Sequence, residues 1–423
     1  MRKTIFTWLP YLYIILISIP YYLGIQTVPF HPDESTQILM SSDVKQLINN
    51  PSQFFWEASK TKSDLRQKYR ELDAPVNRYL IEIGRTISNH QSIPVDWDWS
   101  LSWEENQTNG ALPTPDLLLI SRLSIAFLYP FSLILLFQIV KSMQNNLSAW
   151  IALILFSINP QILLHTRRAM AESAVLFFSL LSLWVMIKDE NSNFLSGFPA
   201  SLAFCAKQTS IPLFLSGIFN IFNHKISSAG VFQKLKKLLF YVFIYISMIY
   251  ILNPFAWVNP LQAFQASWVS RTNFAFDQAK TFGLDTNQSY FYSIPLQVGK
   301  IAWGTFFERP RIEDTGNYSV QSIASTNFYF SNPFNNLLRD PISATILFIL
   351  AITGFILSSI QLIKRIQPKQ QILFLLWTST LFQMALFIFI PVLFQRYFVL
   401  LIPYTCIWIG YSIDYLLKIK NDE

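Results

Sequence analysis

Charge is scarce in this chain. Only 13% of its 423 residues are Asp, Glu, Lys or Arg, while 52% are hydrophobic and 16% aromatic, with 38 Phe; soluble globular proteins carry about 25% charged residues. That composition excludes an ordinary soluble domain. The two cysteines, Cys205 and Cys406, both fall inside apolar segments, which supports neither a disulfide framework nor a thiolate metal site. With just 12 Gly there is no Gly-rich loop to cradle a nucleotide phosphate. The formal net charge of +7 would suit nucleic acid, but the basic residues form no single patch and mark membrane topology instead. Internal repeats, heptads and low-complexity tracts are absent from the sequence. Long apolar runs are abundant, and the expected class is an all-α polytopic membrane protein.

The first run extends from about Ile5 to Val28, where roughly 20 apolar residues suffice to span a bilayer. Arg2 and Lys3 precede it, which predicts a cytoplasmic N-terminus. A signal peptide fits less well, because the run exceeds the roughly 7–15 residues of a signal core and no small-x-small cleavage site follows. Residues 25–116 then form a polar stretch holding 13 of the 25 acidic residues, so this loop has content of its own. Further spans are expected at about 117–140, 147–165, 170–187, 194–206, 210–223, 237–253, 342–363, 371–394 and 398–417, with a second long polar-aromatic stretch at 253–340. The total is about ten transmembrane helices.

Alternation from an inside N-terminus places Arg2, Lys3, Lys141, Lys188, Lys225, Lys234, Lys236, Lys237, Lys364, Arg365, Lys369, Lys418 and Lys420 in the cytoplasm. Both long loops then lie outside, and both termini inside, in a multi-pass plasma (inner) membrane protein. Only Arg167, Arg168, Lys207 and Arg396 remain in short outer loops. The sequons Asn106-Gln107-Thr108 and Asn287-Gln288-Ser289 carry little weight, since a three-residue pattern is common by chance.

The run Phe30-His31-Pro32-Asp33-Glu34 places two carboxylates where the first span ends. Partial desolvation at a membrane surface can raise a carboxylate's basicity and make it a general base. Equally, acidic residues near the start of a following helix are favoured by its dipole. His31 beside them suggests a divalent metal, but one His and two adjacent carboxylates lack a spaced partner, so no cofactor is supported. Arg168 and Glu172, four apart in Thr166-Arg167-Arg168-Ala169-Met170-Ala171-Glu172, would pair on one helical face or else grip and orient a phosphate. Lys207 would snorkel to the interface, and Arg396 with Tyr397 would anchor there. Taken together, these outer cations facing an acidic pair describe a cationic site for a lipid-borne anion opposite a base.

The four elements, in this order, resemble the C-type glycosyltransferases that use lipid-phosphate sugars, above all the protein O-mannosyltransferase and aminoarabinose transferase group. The family's short acidic motif at the end of the first span is matched by Asp33-Glu34. Its Arg-containing stretch ending in an acid is matched by Arg167-Arg168-Ala169-Met170-Ala171-Glu172. Ala206-Lys207 matches a Lys after a small-residue span, and Arg396-Tyr397-Phe398-Val399-Leu400-Leu401-Ile402-Pro403 matches an Arg-Tyr followed by apolar residues and Pro. One departure is Leu72-Asp73-Ala74-Pro75-Val76-Asn77-Arg78-Tyr79, where relatives carry a His-Pro-Pro type motif and only the second Pro is kept.

The resemblance implies a polyprenyl-phosphate-linked sugar donor and an acceptor protein, glycan or lipid. Asp33 would then be the base with Glu34 in support. Lys207, Arg396, Arg168 and Arg167 would hold the donor phosphate, supported by Glu172, Tyr397 and His31. In relatives the second long outer loop often covers the active site. A transporter or lipid flippase, the rival class, tends to show internal repeats and charges near the bilayer midplane, and a noncatalytic scaffold would not require cations from four segments at one face.

Overall fold

The computed structural model describes residues 2–60, 64–188, 193–223, 230–281, 290–312, 318–364 and 369–422. Lys225, Arg365 and the Asn287-Gln288-Ser289 sequon lie outside them. Among the described residues there are helices and no strands.

Helix α1 (Arg2–Leu23) holds the first apolar run and leaves Trp8, Leu12, Ile15 and Ile19 more than half exposed. Residues 25–114 carry six helices: α2 (Pro32–Ser41), α3 (Asp43–Asn49), α4 (Pro51–Phe54), α5 (Leu65–Leu72), α6 (Val76–Ile87) and α7 (Trp103–Thr108). Then follow α8 (Pro115–Ala126) and α9 (Tyr129–Met143), which together make a 29-residue apolar span, and α10 (Asn146–Ser157) and α11 (Pro160–His165). Asn159-Pro160 breaks the latter two apart, since Asn159 caps α11 and Pro opens it. Helices α12 (Glu172–Lys188), α13 (Gly197–Ala206), α14 (Pro212–Asn223) and α15 (Val231–Leu252) complete the middle of the chain. The second long stretch folds into α16 (Pro260–Thr281), α17 (Tyr290–Ala302) and α18 (Ser319–Ser331), and α19 (Pro341–Lys364), α20 (Gln370–Phe389) and α21 (Ile402–Asp422) close it.

Every apolar segment expected from the sequence is thus helical. Among the described residues four helices are long and apolar enough to cross a bilayer: Pro115–Met143, Val231–Leu252, Pro341–Lys364 and Gln370–Phe389. In α19 only 17% of the most apolar window is buried, and Ile342, Ile346 and Ile349 stand exposed. Apolar surface on that scale is stable only against lipid or a partner. This is a membrane protein. Its buried side chains run through α9, α10, α12, α20 and α21 as one continuous apolar core. The inner face of α19 is built of small residues, Ala344, Ala351, Gly354 and Ser358, which let α21 come close.

The first long stretch is a packed unit. Asp43, almost fully buried, accepts hydrogen bonds from Arg70 (2.8 and 3.0 Å), Arg78 (3.1 Å) and Arg66 (3.3 Å), tying α3, α5 and α6 together. Helix α6 then packs on both α2 and α8, which sets the unit against the bundle.

Candidate functional site

The chain enters α2 through an extended His31 followed by Pro32. The Asp33 N–H donates to His31 Nδ1 and the His31 N–H donates to Glu34, each at 3.1 Å, so His31 and Glu34 close a capping box. The two carboxylates of the doublet then part company. Glu34 is fully buried and accepts from Arg122 at 2.7 and 2.8 Å and from the Ala169 N–H at 2.8 Å. Arg122, in α8, also donates to the carbonyls of Ile25 (3.0 Å) and Val28 (2.8 Å). Burial alone would raise the Glu34 carboxyl, but the charge and hydrogen bonds of Arg122 outweigh it and hold the group below the usual glutamate value. Glu34 is a staple between α2, α8 and the segment before α12.

Asp33 faces elsewhere. Its side chain is 34% exposed, and it forms an ion pair with Arg396 at 2.5 Å. Arg396 sits on a 3₁₀ turn, Gln395–Leu400, that leads into α21. Gln395, buried beside it, accepts from the Arg311 N–H (2.6 Å) and donates to Glu308 (3.2 Å) and the Arg309 carbonyl (2.7 Å). Those bonds fix the turn on which the guanidinium is presented.

Lys207 caps the C-terminus of α13 and meets Glu172, the first residue of α12, at 2.5 Å. Its ammonium also lies 4.5 Å from the centre of the Tyr397 ring. Arg396 is within electrostatic reach of both Glu172 and Lys207, which joins the two ion pairs into one cluster. Burial pulls the Lys207 ammonium below the usual lysine value; Glu172 opposes this and Arg396 adds to it. The divergent segment 72–79 supports the same corner: Asn77 donates to the Ala206 carbonyl, and the Leu72 carbonyl accepts from Gln208, both at 3.3 Å. Asp73 there pairs with Arg271 of α16 at 3.6 Å, and Arg271 is within electrostatic reach of Lys207.

The structure therefore brings together Asp33, Glu172, Lys207, Arg396 and Tyr397. Arg167 and Arg168 go elsewhere. Arg167 donates to the carbonyls of Tyr21 (3.0 Å) and Pro20 (3.3 Å), and its guanidinium lies 5.0 Å from the centre of the Tyr21 ring. Arg168 donates to the carbonyls of Ile312 (2.7 Å) and Pro29 (3.4 Å). The expected Arg168–Glu172 pair does not form, because α12 begins only at Glu172 and Arg168 precedes it in a bend. Lys207 does not snorkel to water, since Glu172 supplies a buried counter-ion.

Four residues escaped the sequence reading. Arg122 is a lone charge in an apolar run, a signal that was legible. Arg271 and His165, which lies within reach of Glu172, carry no such mark. Nor does Asp96, which accepts from Thr36 (2.9 Å) and from Tyr69; burial raises its carboxyl, those hydrogen bonds oppose the shift, and the charge of Asp33 adds to it. Among the described residues no three His, Cys, Asp or Glu side chains stand together as metal ligands. The His31-Asp33-Glu34 group does not make such a set, because Glu34 is committed to Arg122 and His31 Nδ1 to the helix cap.

No protein-family model and no curated protein sequence matches this chain. Its similarity to solved structures is in fold. The oligosaccharyltransferase of Archaeoglobus fulgidus, solved in complex with zinc and sulfate, has a TM-score of 0.52 at 12% identity, covering 96% of this chain and 49% of that one. The same protein in its apo form gives 0.51 at 12% identity, with 96% and 50% covered. This chain has the fold of about half of that oligosaccharyltransferase. It spans about half the length of the solved structures it matches. The five-residue cluster lies at the start of α2 and of α12, at the end of α13 and on the 3₁₀ turn before α21.

Proposed function

We propose that the protein is an inverting glycosyltransferase that moves a sugar from a polyprenyl-phosphate-linked donor to a hydroxyl or amine of an acceptor protein, glycan or lipid. The observation that carries this reading is the Asp33–Arg396 ion pair beside the Lys207–Glu172 pair: a part-exposed carboxylate held by one cation, with a second, buried cation within electrostatic reach of the first. In this reading the chain crosses the plasma membrane about ten times, both termini are cytoplasmic, and the cluster faces outward.

The donor's phosphate competes with Asp33 for Arg396 and takes Lys207 as its second cation. Binding therefore releases the carboxylate. Asp33 accepts the acceptor's O–H or N–H proton as that atom attacks the anomeric carbon from the face opposite the phosphate. The bond from that carbon to the phosphate oxygen breaks with its electron pair, and the polyprenyl phosphate leaves with one more negative charge, which Arg396 and Lys207 stabilise in a site already organised for it. Glu172 keeps Lys207 charged and aimed. Helix α16, which reaches the rim through Arg271, covers the site, while Glu34, Arg167 and Arg168 hold its walls.

Incubating purified protein with a panel of polyprenyl-phosphate sugars tests the reading. One donor should be consumed with release of polyprenyl phosphate. Equal consumption by Asp33→Asn would refute it.

A further inference from the structure

Arg339 lies outside the Asp33 cluster. It lies just before α19 and is buried, and among the described residues no carboxylate forms an ion pair with it. Its guanidinium donates only to the Thr305 carbonyl (2.5 Å) and Asn159 (3.4 Å), leaving further N–H groups for a ligand. Thr305 Oγ1, also buried, has no hydrogen-bond partner among the described residues. Both residues line one cleft, whose remaining walls include Leu155, Phe306, Leu347 and Ile409. Leu338, next to Arg339, has φ +60°, a conformation bulky residues rarely adopt, and it turns the chain where Arg339 enters.

Glu308 is within electrostatic reach of Arg339 but is bound by Arg311 and Gln395, and a buried cation without an ion pair is costly unless an anion is supplied. The apolar face of α19, with exposed Ile342, Ile346 and Ile349, begins directly beside this one. We propose that the cleft between α10, α19 and α21 is a binding site for an anionic bilayer phospholipid, with its headgroup phosphate on Arg339 and Thr305 and its chains along α19. The guanidinium matches a phosphate's paired oxygens, and α19 lines the cleft through Leu347, next to the exposed Ile346, where an acyl chain would lie. This site is separate from Asp33, Lys207 and Arg396, and the inference stands whether or not the protein transfers sugar.

Native mass spectrometry of the delipidated full chain tests it, with phosphatidylglycerol, phosphatidylcholine and inorganic phosphate as probes. The expected result is one retained phosphatidylglycerol, at least tenfold weaker phosphatidylcholine, and no displacement by inorganic phosphate. Arg339→Gln should weaken phosphatidylglycerol tenfold or more, Arg339→Lys should keep it, and Arg396→Gln should not change it. If Arg339→Gln fails to accumulate, Leu347→Trp, which fills the cleft, must expel the lipid. Wild-type binding in either Arg339→Gln or Leu347→Trp, displacement by inorganic phosphate, or loss of the lipid in Arg396→Gln overturns the proposal.

Discussion

Asp33 and Arg396 are 363 residues apart in sequence and 2.5 Å apart in space. A base held by a cation is a poor base until something takes the cation away. The substrate-borne phosphate does so in the proposed reaction, which ties proton abstraction to donor binding. Asp33→Asn should therefore lower turnover by about 10²–10⁴-fold, the usual contribution of a positioned base. Donor binding should hold or tighten in this variant, because Arg396 is released. Turnover assays and donor titration on the same preparation check both.

Lys207 has two functions to separate. Lys207→Ala should weaken donor affinity and also strand Glu172 without its buried partner, so stability falls as well. Adding Glu172→Gln should restore stability but not donor affinity, as measured by melting temperature and donor titration. Because burial holds the Lys207 ammonium low, its charge is lost at a lower pH than that of an ordinary lysine. The alkaline fall in kcat/KM for donor should accordingly move to higher pH in Lys207→Arg.

Glu34 and Arg122 form a structural pair. Removing one member leaves a buried charge, at a cost of about 3–5 kcal/mol, so Arg122→Ala should lower stability sharply even when substrate is absent. The pH dependence follows from the depressed Glu34 value. The stabilisation is complete above the unfolded glutamate value and is lost as pH falls through the lower folded one. Denaturation of wild type and Glu34→Gln from neutral to acid pH should show the gap between them closing at the acid end.

Gly354 tests the bundle. A Cβ there would collide with the Trp408 carbonyl oxygen, and backbone cannot swing aside as a side chain can. Gly354→Ala should push α19 from α21 and destabilise by about 1–3 kcal/mol, the usual range for overpacking. A thermal melt in detergent reads this directly.

The helical segments were legible because apolar runs and polar breaks are local properties. The company of Asp33, Lys207 and Arg396 was also legible, since span alternation predicted that they share a face and the structure brings them into one cluster. What local pattern could not supply was pairing. Glu172 takes Lys207 and not Arg168, because the helix starts one turn later than the spacing suggested. Asp33 and Glu34 divide their tasks because neighbours on a helix point about 100° apart, one to Arg396 and the other to Arg122. The presence of Arg122 in an apolar run was the one sign of that division.

The ion pair that closes the cluster also dates it during synthesis. At about 5–20 residues per second, the 363 residues between Asp33 and Arg396 take roughly 20–70 s to follow. Glu34 meets Arg122 after only 88 residues, so the first polar stretch can be stapled to the bundle early while the Asp33 corner stays open. A ribosome stalled before residue 396 therefore presents a membrane-inserted chain with that stretch in place and the cluster incomplete, and under the proposed function activity becomes a readout that the final helix has arrived.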